Sequence, residues 1–500
     1  MKTIIKITLS LALLISQTLY SQVLEQDSLA LVAFYNSTGG PNWDNNSNWL
    51  TGPVYNWHGI TVEDGRVLQL GGGGTLTSNN LIGELPPEIW NLTKLKRISI
   101  SNNTELEGDL TIGIGNLTDL VLINIGNCSL SGTIPNTIGN CSYLWSINLK
   151  ENNLIGSIPQ EIGNLDSLEF LTLHSNQLSG SISPELSNCT NLIELYLNNN
   201  QLNGIIPAVL SNLENLTIMH LQDNNLTGNI PESFSDFFLD WDNPLELNVS
   251  NNQLSGKLPP EWGNMSFSIN ELNIANNNFS GLPLVNYNWL MTFFDIRGNK
   301  LPFEQMESHY ESFQAGIYFF FDYWPQQNML NEIDTALSIG SNYSIYSGTA
   351  GEYTYYKWLK DGELLAEGAD MDTLFINNFT TSDIGVYTCQ ATNSLLGMLT
   401  LHRNPVSISI YEDVSNVEYH EPEISLYPNP ASQELNISFS DKWTDFEICI
   451  YSNTGICIFH QQVEGVKNII RLNINHIKTG VYLLKIQTKN KTYTEKLIIK

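Results

Sequence analysis

Basic residues are scarce in this sequence of 500 residues. Lysine and arginine total 22 against 51 aspartates and glutamates, which gives a formal net charge of −29. From residue 424 onward, nine basic residues face six acidic ones, so the acidic excess lies in the preceding part. An acidic body of this kind repels nucleic acid and anionic membrane surfaces. We expect no nucleic-acid partner, whereas divalent cations or basic partners would suit the charge, as would a role in solubility.

Long apolar runs are absent beyond the N-terminus, so we expect no membrane span. The first residues combine Lys2 and Lys6 with a short apolar stretch from Ile4 to Ile15. Ser21 then offers a small residue for cleavage before Gln22. This order predicts a signal peptide over residues 1–21 and an exported mature protein.

Catalytic and cofactor motifs are also missing. The sequence contains no H-E-x-x-H, G-x-S-x-G, paired C-x-x-C or G-x-x-x-x-G-K-[ST]. Asp236, Asp240 and Asp242 cluster, but their spacing fits no known calcium loop. We therefore expect no enzyme activity, no cofactor and no metal site.

A repeat with a spacing of mostly 24 residues dominates the sequence. Residues 168–176 read L-x-x-L-x-L-x-x-N, and the motif continues into Leu178, Gly180 and Ile182. One repeat cannot bury its leucines alone, so neighbouring repeats must stack, with one short strand each. The Asn amide is expected to bond backbone groups in the turn after the strand. Its slot recurs at Asn79, Asn103, Cys128, Asn152, Asn176, Asn200, Asn224, Asn252, Asn277 and Asn299.

The motif N-x-L-x-G-x-I-P resembles the leucine-rich repeats of plant receptors, which implies a solenoid of about ten repeats over residues 67–301. Residues 30–70 resemble the cap that precedes such repeats, through Trp43, Trp49 and Trp57. The resemblance implies an N-terminal cap over residues 22–66. Plant caps usually carry a cysteine pair that this stretch lacks.

The cysteines of the solenoid fit the repeat and not a disulfide framework. Cys128 takes an Asn slot, while Cys141 and Cys189 take a buried Leu slot, where cysteine behaves as a small apolar residue. Cys141 and Cys189 lie two repeats apart, roughly 10 Å at strand spacing, which is beyond disulfide reach. We expect these thiols to be free.

Residues 302–325 are rich in aromatic side chains and break the repeat. We expect a C-terminal cap over the end of the core, with an exposed adhesive patch as the alternative. Residues 326–411 read as short strands, and residues 383–389 match the D-x-G-x-Y-x-C corner of immunoglobulin-like domains, which implies a β-sandwich. The usual first cysteine is missing near Ile345, so we expect Cys389 to be a free thiol.

Residues 412–423 are acidic and polar and read as a linker. Residues 424–500 then carry Y-P-N-P at Tyr427, a turn that ends at Gly455, and G-V-Y at Gly480. This order resembles the C-terminal sorting domain of type IX secretion in Bacteroidetes. The resemblance implies a small all-β domain, recognition by that secretion machinery, and passage across the outer membrane.

Cys449 and Cys457 flank the turn of this last domain. A turn with a bulge at Gly455 would place Cys457 opposite Tyr451 and leave the two cysteines diagonal. Diagonal positions give poor disulfide geometry, although a disulfide there stays an alternative.

Ligand contacts should concentrate on the outward strand positions, six, four and two residues before each Asn, because only these vary without damaging the core. In the middle repeats they form a mixed aromatic and polar patch on the predicted concave face. Such patches are typical of binding centres, although ordinary solvated strand residues explain the pattern as well. His174 and His220 have no acid or nucleophile partner evident in the sequence. The candidate ligand-binding residues are Lys150, Phe170, His174, Glu194, Tyr196 and His220.

Together these features predict a bacterial protein, secreted or held at the outer cell surface, that binds a protein, peptide or glycan through the concave face. An adhesive or structural surface protein without a discrete ligand is the main alternative. An enzyme with its site on the concave face is a third interpretation, disfavoured because no acid–base or nucleophile constellation is visible. The immunoglobulin-like domain would be a spacer or a second contact.

Overall fold

The structure, a computed structural model, describes residues 23–239, 245–264, 269–283, 291–316, 318–397, 399–411, 424–452, 456–465, 467–488 and 492–500. The predicted signal peptide and linker lie outside the described residues, as do Asp240 and Asp242. The chain divides into two compact units, Met1–Ile410 and Tyr411–Lys500. Each unit has its own hydrophobic core.

Twenty short strands build the repeat region, and they follow the alternating leucines of the motif. In chain order they are β1 (Ile60–Glu63), β2 (Arg66–Leu70), β3 (Gly83–Glu84), β4 (Arg97–Ser99), β5 (Leu106–Glu107), β6 (Leu122–Asn124), β7 (Ser146–Asn148), β8 (Ile155–Gly156), β9 (Phe170–Thr172), β10 (Gln177–Ser181), β11 (Glu194–Tyr196), β12 (Gln201–Gly204), β13 (Ile218–His220), β14 (Asn225–Gly228), β15 (Leu245–Asn248), β16 (Gln253–Lys257), β17 (Ile269–Asn273), β18 (Asn278–Gly281), β19 (Met291–Asp295) and β20 (Tyr318–Asp322).

Twelve of these strands form one sheet, in the order β1-β2-β4-β6-β7-β9-β11-β13-β15-β17-β19-β20. The strands from β2 onward are parallel, and the buried positions pair in register, as Leu171, Leu195 and Met219 do. The side chains between them therefore point outward in straight rows. We call this outward surface the sheet face; it is the face that the sequence predicts to be concave. A second parallel sheet has the order β18-β16-β14-β12-β10-β8.

Helices close the repeats on the other side of the core. Among the described residues, the α-helices are α1 (Glu25–Ser37) and α2 (Phe303–Gln314). Short 3₁₀ helices supply one buried apolar side chain per repeat, such as Ile138, Ile162 and Leu210. The 3₁₀ helices are Gly40–Asn42, Val54–Asn56, Gly72–Gly74, Pro87–Asn91, Ile112–Asn116, Asn136–Asn140, Gln160–Asn164, Pro184–Asn188, Ala208–Asn212, Glu232–Leu239, Pro260–Asn264 and Thr381–Asp383.

From Asn103 onward, each Asn in this slot bonds to its own turn and to the preceding repeat. Asn200 Nδ2 donates to the carbonyls of Leu197 and Asn198 at 3.1 and 3.2 Å, and to Leu173 of the preceding repeat at 3.1 Å. Its Oδ1 accepts from the Leu178 amide at 3.0 Å. This asparagine ladder satisfies backbone groups that would otherwise be buried without partners, as the sequence predicts.

The cysteines of the repeats fit into the same scheme. All six cysteines are free in the structure, and Cys141 and Cys189 are fully buried, as predicted. The Cys128 thiol stands in the Asn slot and points to the carbonyls of Ile100 and Gly126 at 3.6 and 3.7 Å. Burial raises the pKa of the Cys128 thiol to about 11, so it stays protonated.

Aromatic side chains build the N-terminal cap. The Tyr35 and Trp49 rings stack with centroids 5.5 Å apart, and Trp49 meets Trp43 and Trp57 at 4.9 Å each. Asp27 of α1 is fully buried and forms an ion pair with Arg66 at 3.0 Å. This pair ties α1 to the first strands of the sheet.

At the C-terminal end the structure differs from the expected break in the repeat. Residues 318–322 form β20, which continues the sheet, and Gln326 occupies the next ladder position. Its Nε2 donates to the Ile296 carbonyl at 3.0 Å, and its Oε1 accepts from the Leu301 amide at 3.3 Å. Both interpretations of this segment hold in part, because Phe321 is buried in the core while Phe319 is 86% exposed. The helix α2 covers the core with Phe303 and Met306.

Residues 326–411 form two small sheets around a shared core. The strands are β21 (Ile333–Leu337), β22 (Tyr343–Tyr346), β23 (Thr354–Lys360), β24 (Glu363–Gly368), β25 (Thr373–Ile376), β26 (Gly385–Asn393) and β27 (Thr400–Ile410). One sheet has the order β21-β27-β26-β23-β24, and the other pairs β22 with β25. Trp358 is opposite Cys389, and the Tyr387 hydroxyl donates to the Asp383 carbonyl at 2.5 Å. Ile345 is buried. The assignment to the immunoglobulin-like class stays a prediction.

The helix α2 joins this β-region to the repeats through its carboxylates. Glu304 Oε2 accepts from the Ala350 amide at 2.8 Å. Glu307 accepts from Asn393 Nδ2 at 2.6 Å and from the Glu352 amide at 3.2 Å. The C-terminal cap of the solenoid therefore also contacts the β-region and holds it through these hydrogen bonds.

The C-terminal unit is all-β, as its sequence predicts. Its strands are β28 (Ile424–Tyr427), β29 (Glu434–Trp443), β30 (Phe446–Tyr451), β31 (Cys457–Val463), β32 (Lys467–Asn473), β33 (Gly480–Gln487) and β34 (Thr492–Ile499). They form the sheets β28-β29-β32 and β31-β30-β33-β34. Cys457 pairs with Tyr451, and Cys449 pairs with His460, so the diagonal arrangement of the two cysteines is confirmed.

Replacement of a ladder asparagine should unfold the repeats at lower denaturant. In Asn103→Ala, the carbonyl of Leu76 and the amides of Asn79 and Leu81 lose their partner. We expect a loss of about 2–5 kcal/mol, since each buried group left unsatisfied costs about 1–3 kcal/mol. Chemical denaturation measures it. The exposed neighbour Glu105→Ala should change stability by less than about 0.5 kcal/mol, and an equal effect of both variants would contradict the role of the ladder.

The Cys389 thiol should be protected while the protein is folded. Burial raises its pKa to about 12, so the reactive thiolate is absent at neutral pH. Alkylation of native protein followed by mass spectrometry should leave Cys389 unmodified, and alkylation after unfolding without reductant should modify it. Detection of Cys389 in a disulfide would show the expectation to be wrong.

Candidate functional site

The candidate residues lie together on the sheet face, in rows set by the register of the strands. One outward row consists of the residues six positions before the asparagine of each repeat. In this row Glu194 pairs with Phe170 on one neighbouring strand and with Ile218 on the other. In the row four positions before that asparagine, Tyr196 lies between Thr172 and His220. The structure therefore places these outward residues on one surface, as the repeat spacing predicts.

Aromatic rings contact one another across consecutive strands. His174 and Tyr196 have ring centroids 6.2 Å apart, and Tyr196 and His220 have theirs 5.1 Å apart. Both contacts are edge-to-face, with interplanar angles of 69° and 87°. A further pair, Trp145 and Phe170, meets edge-to-face at 5.7 Å. We call these five side chains the aromatic ladder.

His220 has an acidic partner that the sequence reasoning missed. Its Nε2 lies 2.7 Å from Oε1 of Glu246, and both side chains are partly exposed. His220 pairs with Asn248 in the strand register, so Glu246 reaches it diagonally from the next row. The outward position of both residues was visible in the sequence, but the diagonal contact depends on side-chain conformation.

Carboxylates surround the C-terminal side of the aromatic ladder. Burial and then the charges of Glu194 and Glu246 raise the pKa of the Tyr196 hydroxyl, so this phenol stays protonated. Burial and the Glu246 charge also raise the pKa of Glu271. Further along, Asp295 is buried and pairs with Arg297, which also contacts Asp322 at 3.1 Å.

On the N-terminal side of the aromatic ladder the nearby charge includes a positive one, that of Lys150. Burial and the nearby Lys150 lower the pKa of His174, which favours the neutral imidazole. Lys150 itself lies 3.9 Å from Glu151, and both side chains are well exposed, so this ion pair contributes little. Lys150 therefore belongs to the edge of the candidate site.

The side chains of the sheet face can contact a partner, and His174 Nδ1 lies 3.1 Å from the Ser175 hydroxyl. In the part of the chain that the structure describes, no group of three or more His, Cys, Asp or Glu side chains is arranged to hold a metal ion. The hydrogen bonds of His220 in that part reach Glu246 and no hydroxyl or thiol nucleophile. The surface presents aromatic edges, carboxylates and amides, which are contact groups.

Several contact groups were not singled out from the sequence. They are Trp145, Asn198, Gln222, Glu246, Glu271, Phe293 and Phe320. All except Trp145 occupy the three outward rows, so the repeat register was sufficient to place them. Their interactions were not visible, because each depends on which neighbours the strands bring alongside.

Two family models match the chain. Leucine Rich Repeat matches residues 119–141, 143–165, 167–189, 191–213, 215–237 and 243–265. Secretion system C-terminal sorting domain matches residues 425–500. The comparison with curated proteins gives no match.

Solved structures of plant proteins are similar over the repeats. A plant ice-binding protein is 24% identical, with a TM-score of 0.48, over 57% of this chain and 89% of that one. The plant peptide hormone receptor RGFR1, solved with RGF2, is 28% identical, with a TM-score of 0.42, over 50% of this chain and 46% of that one. The ectodomain of GASSHO1/SCHENGEN3 from Arabidopsis thaliana, solved with CASPARIAN STRIP INTEGRITY FACTOR 2, is 25% identical, with a TM-score of 0.43, over 62% and 45%. This chain spans about half the length of the two receptors.

The chain thus contains leucine-rich repeats, which form a solenoid, and a C-terminal sorting domain of the type IX secretion system. The sorting domain indicates secretion or attachment at the outer cell surface, as predicted. None of the described helices is long and apolar enough to cross a membrane.

Substitutions at two neighbouring positions on β11 should affect stability very differently, because one side chain lies in the core and the other on the sheet face. Leu195 is fully buried, so Leu195→Ala should cost about 2–5 kcal/mol of stability. Tyr196 is half-exposed, and Tyr196→Ala loses its edge contacts to two histidines and a hydrogen bond with Glu194, so we expect a cost of about 1–2 kcal/mol. Denaturation curves of the two variants provide the measurement. A larger loss for Tyr196→Ala would mean that this ring belongs to the core.

Proposed function

We propose that this protein is a secreted or cell-surface recognition protein that binds a protein or peptide segment through the sheet face of its repeats. The observation that carries the proposal is the aromatic ladder. It places five half-buried rings on or directly beside the consecutive parallel strands β7, β9, β11 and β13, with polar side chains around them. Partly exposed aromatic side chains of this kind are typical anchors in binding interfaces.

The strands that carry the aromatic ladder are held in place by many hydrogen bonds. A partner can therefore bind without a rearrangement of the backbone. The rows are held by the sheet register and by asparagine bonds between repeats. A preorganised surface loses little conformational entropy when a partner binds. The contact residues we propose are Lys150, Phe170, His174, Glu194, Tyr196 and His220, together with Trp145 and Glu246.

The ring geometry favours a polypeptide over a glycan. The His174, Tyr196 and His220 rings stand edge-to-face and do not form a flat platform on which a sugar ring would stack. Notches between perpendicular rings suit single side chains of a peptide. A surface protein without a discrete ligand remains the competing function, and enzymatic activity is not part of the proposal.

A random peptide library displayed on phage tests the proposal, panned against the immobilised full-length chain, with a glycan array in parallel. Peptides that are enriched should be synthesised and their Kd values measured. Tyr196→Ala should weaken them by about 5–150-fold, the equivalent of about 1–3 kcal/mol for an anchor residue.

Glu214→Gln provides a matched control, because Glu214 is exposed and lies outside the twelve-stranded sheet. It should leave the Kd unchanged. Glycan hits without peptide enrichment, or peptides that bind Tyr196→Ala as well as the parent, would refute binding of a polypeptide through the sheet face.

A further inference from the structure

Three carboxylates lie in one outward row of the sheet face. Glu246 and Glu271 are directly paired on β15 and β17, and Glu194 precedes them with Ile218 between. Neighbouring strands are about 4.8 Å apart, so Glu246 and Glu271 oppose like charges at close range. The raised pKa of Glu271 reflects its burial and this repulsion.

Few positive side chains of the described residues neutralise the carboxylates of this row. His220 bonds to Glu246, and Arg297 is shared between Asp295 and Asp322. Among the described residues, no ion pair reaches Glu194 or Glu271. A positive group from another molecule would relieve the repulsion between Glu246 and Glu271.

Among the described residues, no donor reaches two amide oxygens on the same face. Asn198 is only 8% exposed, and its Oδ1 has no hydrogen-bond partner. Gln222 Oε1 in the next repeat is likewise buried without a partner. Both residues are two positions after Tyr196 and His220 respectively, so the strand alternation directs them to the sheet face. Buried acceptors without donors are costly, so both amides gain if their side chains turn outward and accept hydrogen bonds from a bound partner.

Aromatic rings border the carboxylates on both sides. Tyr196 lies on the N-terminal side, with its hydroxyl close enough to Glu194 and Glu246 for their charges to raise its pKa. Phe293 pairs with Glu271 on the C-terminal side and stacks on Phe320 at 4.6 Å, with the rings within 3° of parallel. A cation held between carboxylates and aromatic faces gains from both.

The carboxylates, the amide oxygens and the aromatic rings would all be satisfied by one kind of partner. It carries a positive charge, several hydrogen-bond donors and apolar side chains next to the charge. On the basis of the proposed function, we propose that the sheet face selects a basic peptide segment, whose lysine or arginine side chain lies between Glu246 and Glu271. The Asn198 and Gln222 side chains turn outward and accept hydrogen bonds from backbone amides of the segment. Its apolar side chains pack on the aromatic ladder and on Phe293. The net charge of −29 attracts such a partner at long range.

The phage library provides the first test through the composition of the selected peptides. Panning on the full-length parent chain should enrich Lys or Arg next to aromatic or aliphatic residues. Panning on Glu271→Lys should remove that preference for basic residues, because the added positive charge repels them. Panning on Glu214→Gln should reproduce the selection of the parent.

Synthetic versions of the enriched peptides provide the second test. Glu271→Gln should weaken their binding about tenfold or more, and binding to the parent should fall as NaCl is raised. The unfolding midpoint of Glu271→Gln should be unchanged or higher, since the substitution removes like-charge repulsion. Loss of binding without loss of stability identifies a contact residue and excludes a merely structural effect.

The outcomes separate this inference from the proposed function. Peptides that depend on Tyr196 but show no basic preference would overturn the inference and leave the proposed function intact. The absence of any enriched peptide would remove both. Binding that requires added Ca²⁺ and is lost with a chelator would also overturn the inference, because the carboxylates would then hold a metal ion.

Discussion

The asparagine ladder is the interaction on which the rest of this protein depends. From Asn152 to Asn299, each ladder amide bonds three carbonyls and one amide, one of each in the preceding repeat, as Asn200 does. The leucines supply the driving force, but apolar contacts alone do not set register. The directional bonds do, and they keep every strand aligned with its neighbour. Gln326 extends the same bonding to the last strand, so the ladder runs through to the C-terminal cap.

The sheet face inherits its order from this register. Because the strands are aligned, residues from repeats of different length stand in straight rows, and groups distant in sequence meet. The His220–Glu246 pair and the opposed Glu246 and Glu271 carboxylates arise in this way. The core tolerates such repulsion because the buried leucines and the ladder do not involve these side chains. Contact chemistry is therefore free to vary while the fold persists.

The solenoid reaches this rigidity without disulfides. Its thiols are buried and protonated, and two of them replace leucines in the core. Aromatic packing closes the N-terminal end, and α2 with β20 closes the other. The carboxylates of α2 also receive the β-region that follows. The acidic repeats thus form one body with that region, while the sorting domain forms a separate compact unit.

Sequence alone determined the repeats, the outward rows, the free cysteines and the sorting domain, because these follow from periodic spacing and from local motifs. The positions of Phe170, Tyr196 and His220 on one face were predictable for the same reason. The tertiary structure decided what periodicity does not encode. Gln326 was hidden because 26 residues, including α2, lie between it and Asn299. The His220–Glu246 contact and the orphaned oxygens of Asn198 and Gln222 were hidden as well, because side-chain conformations across adjacent strands depend on the packed neighbours.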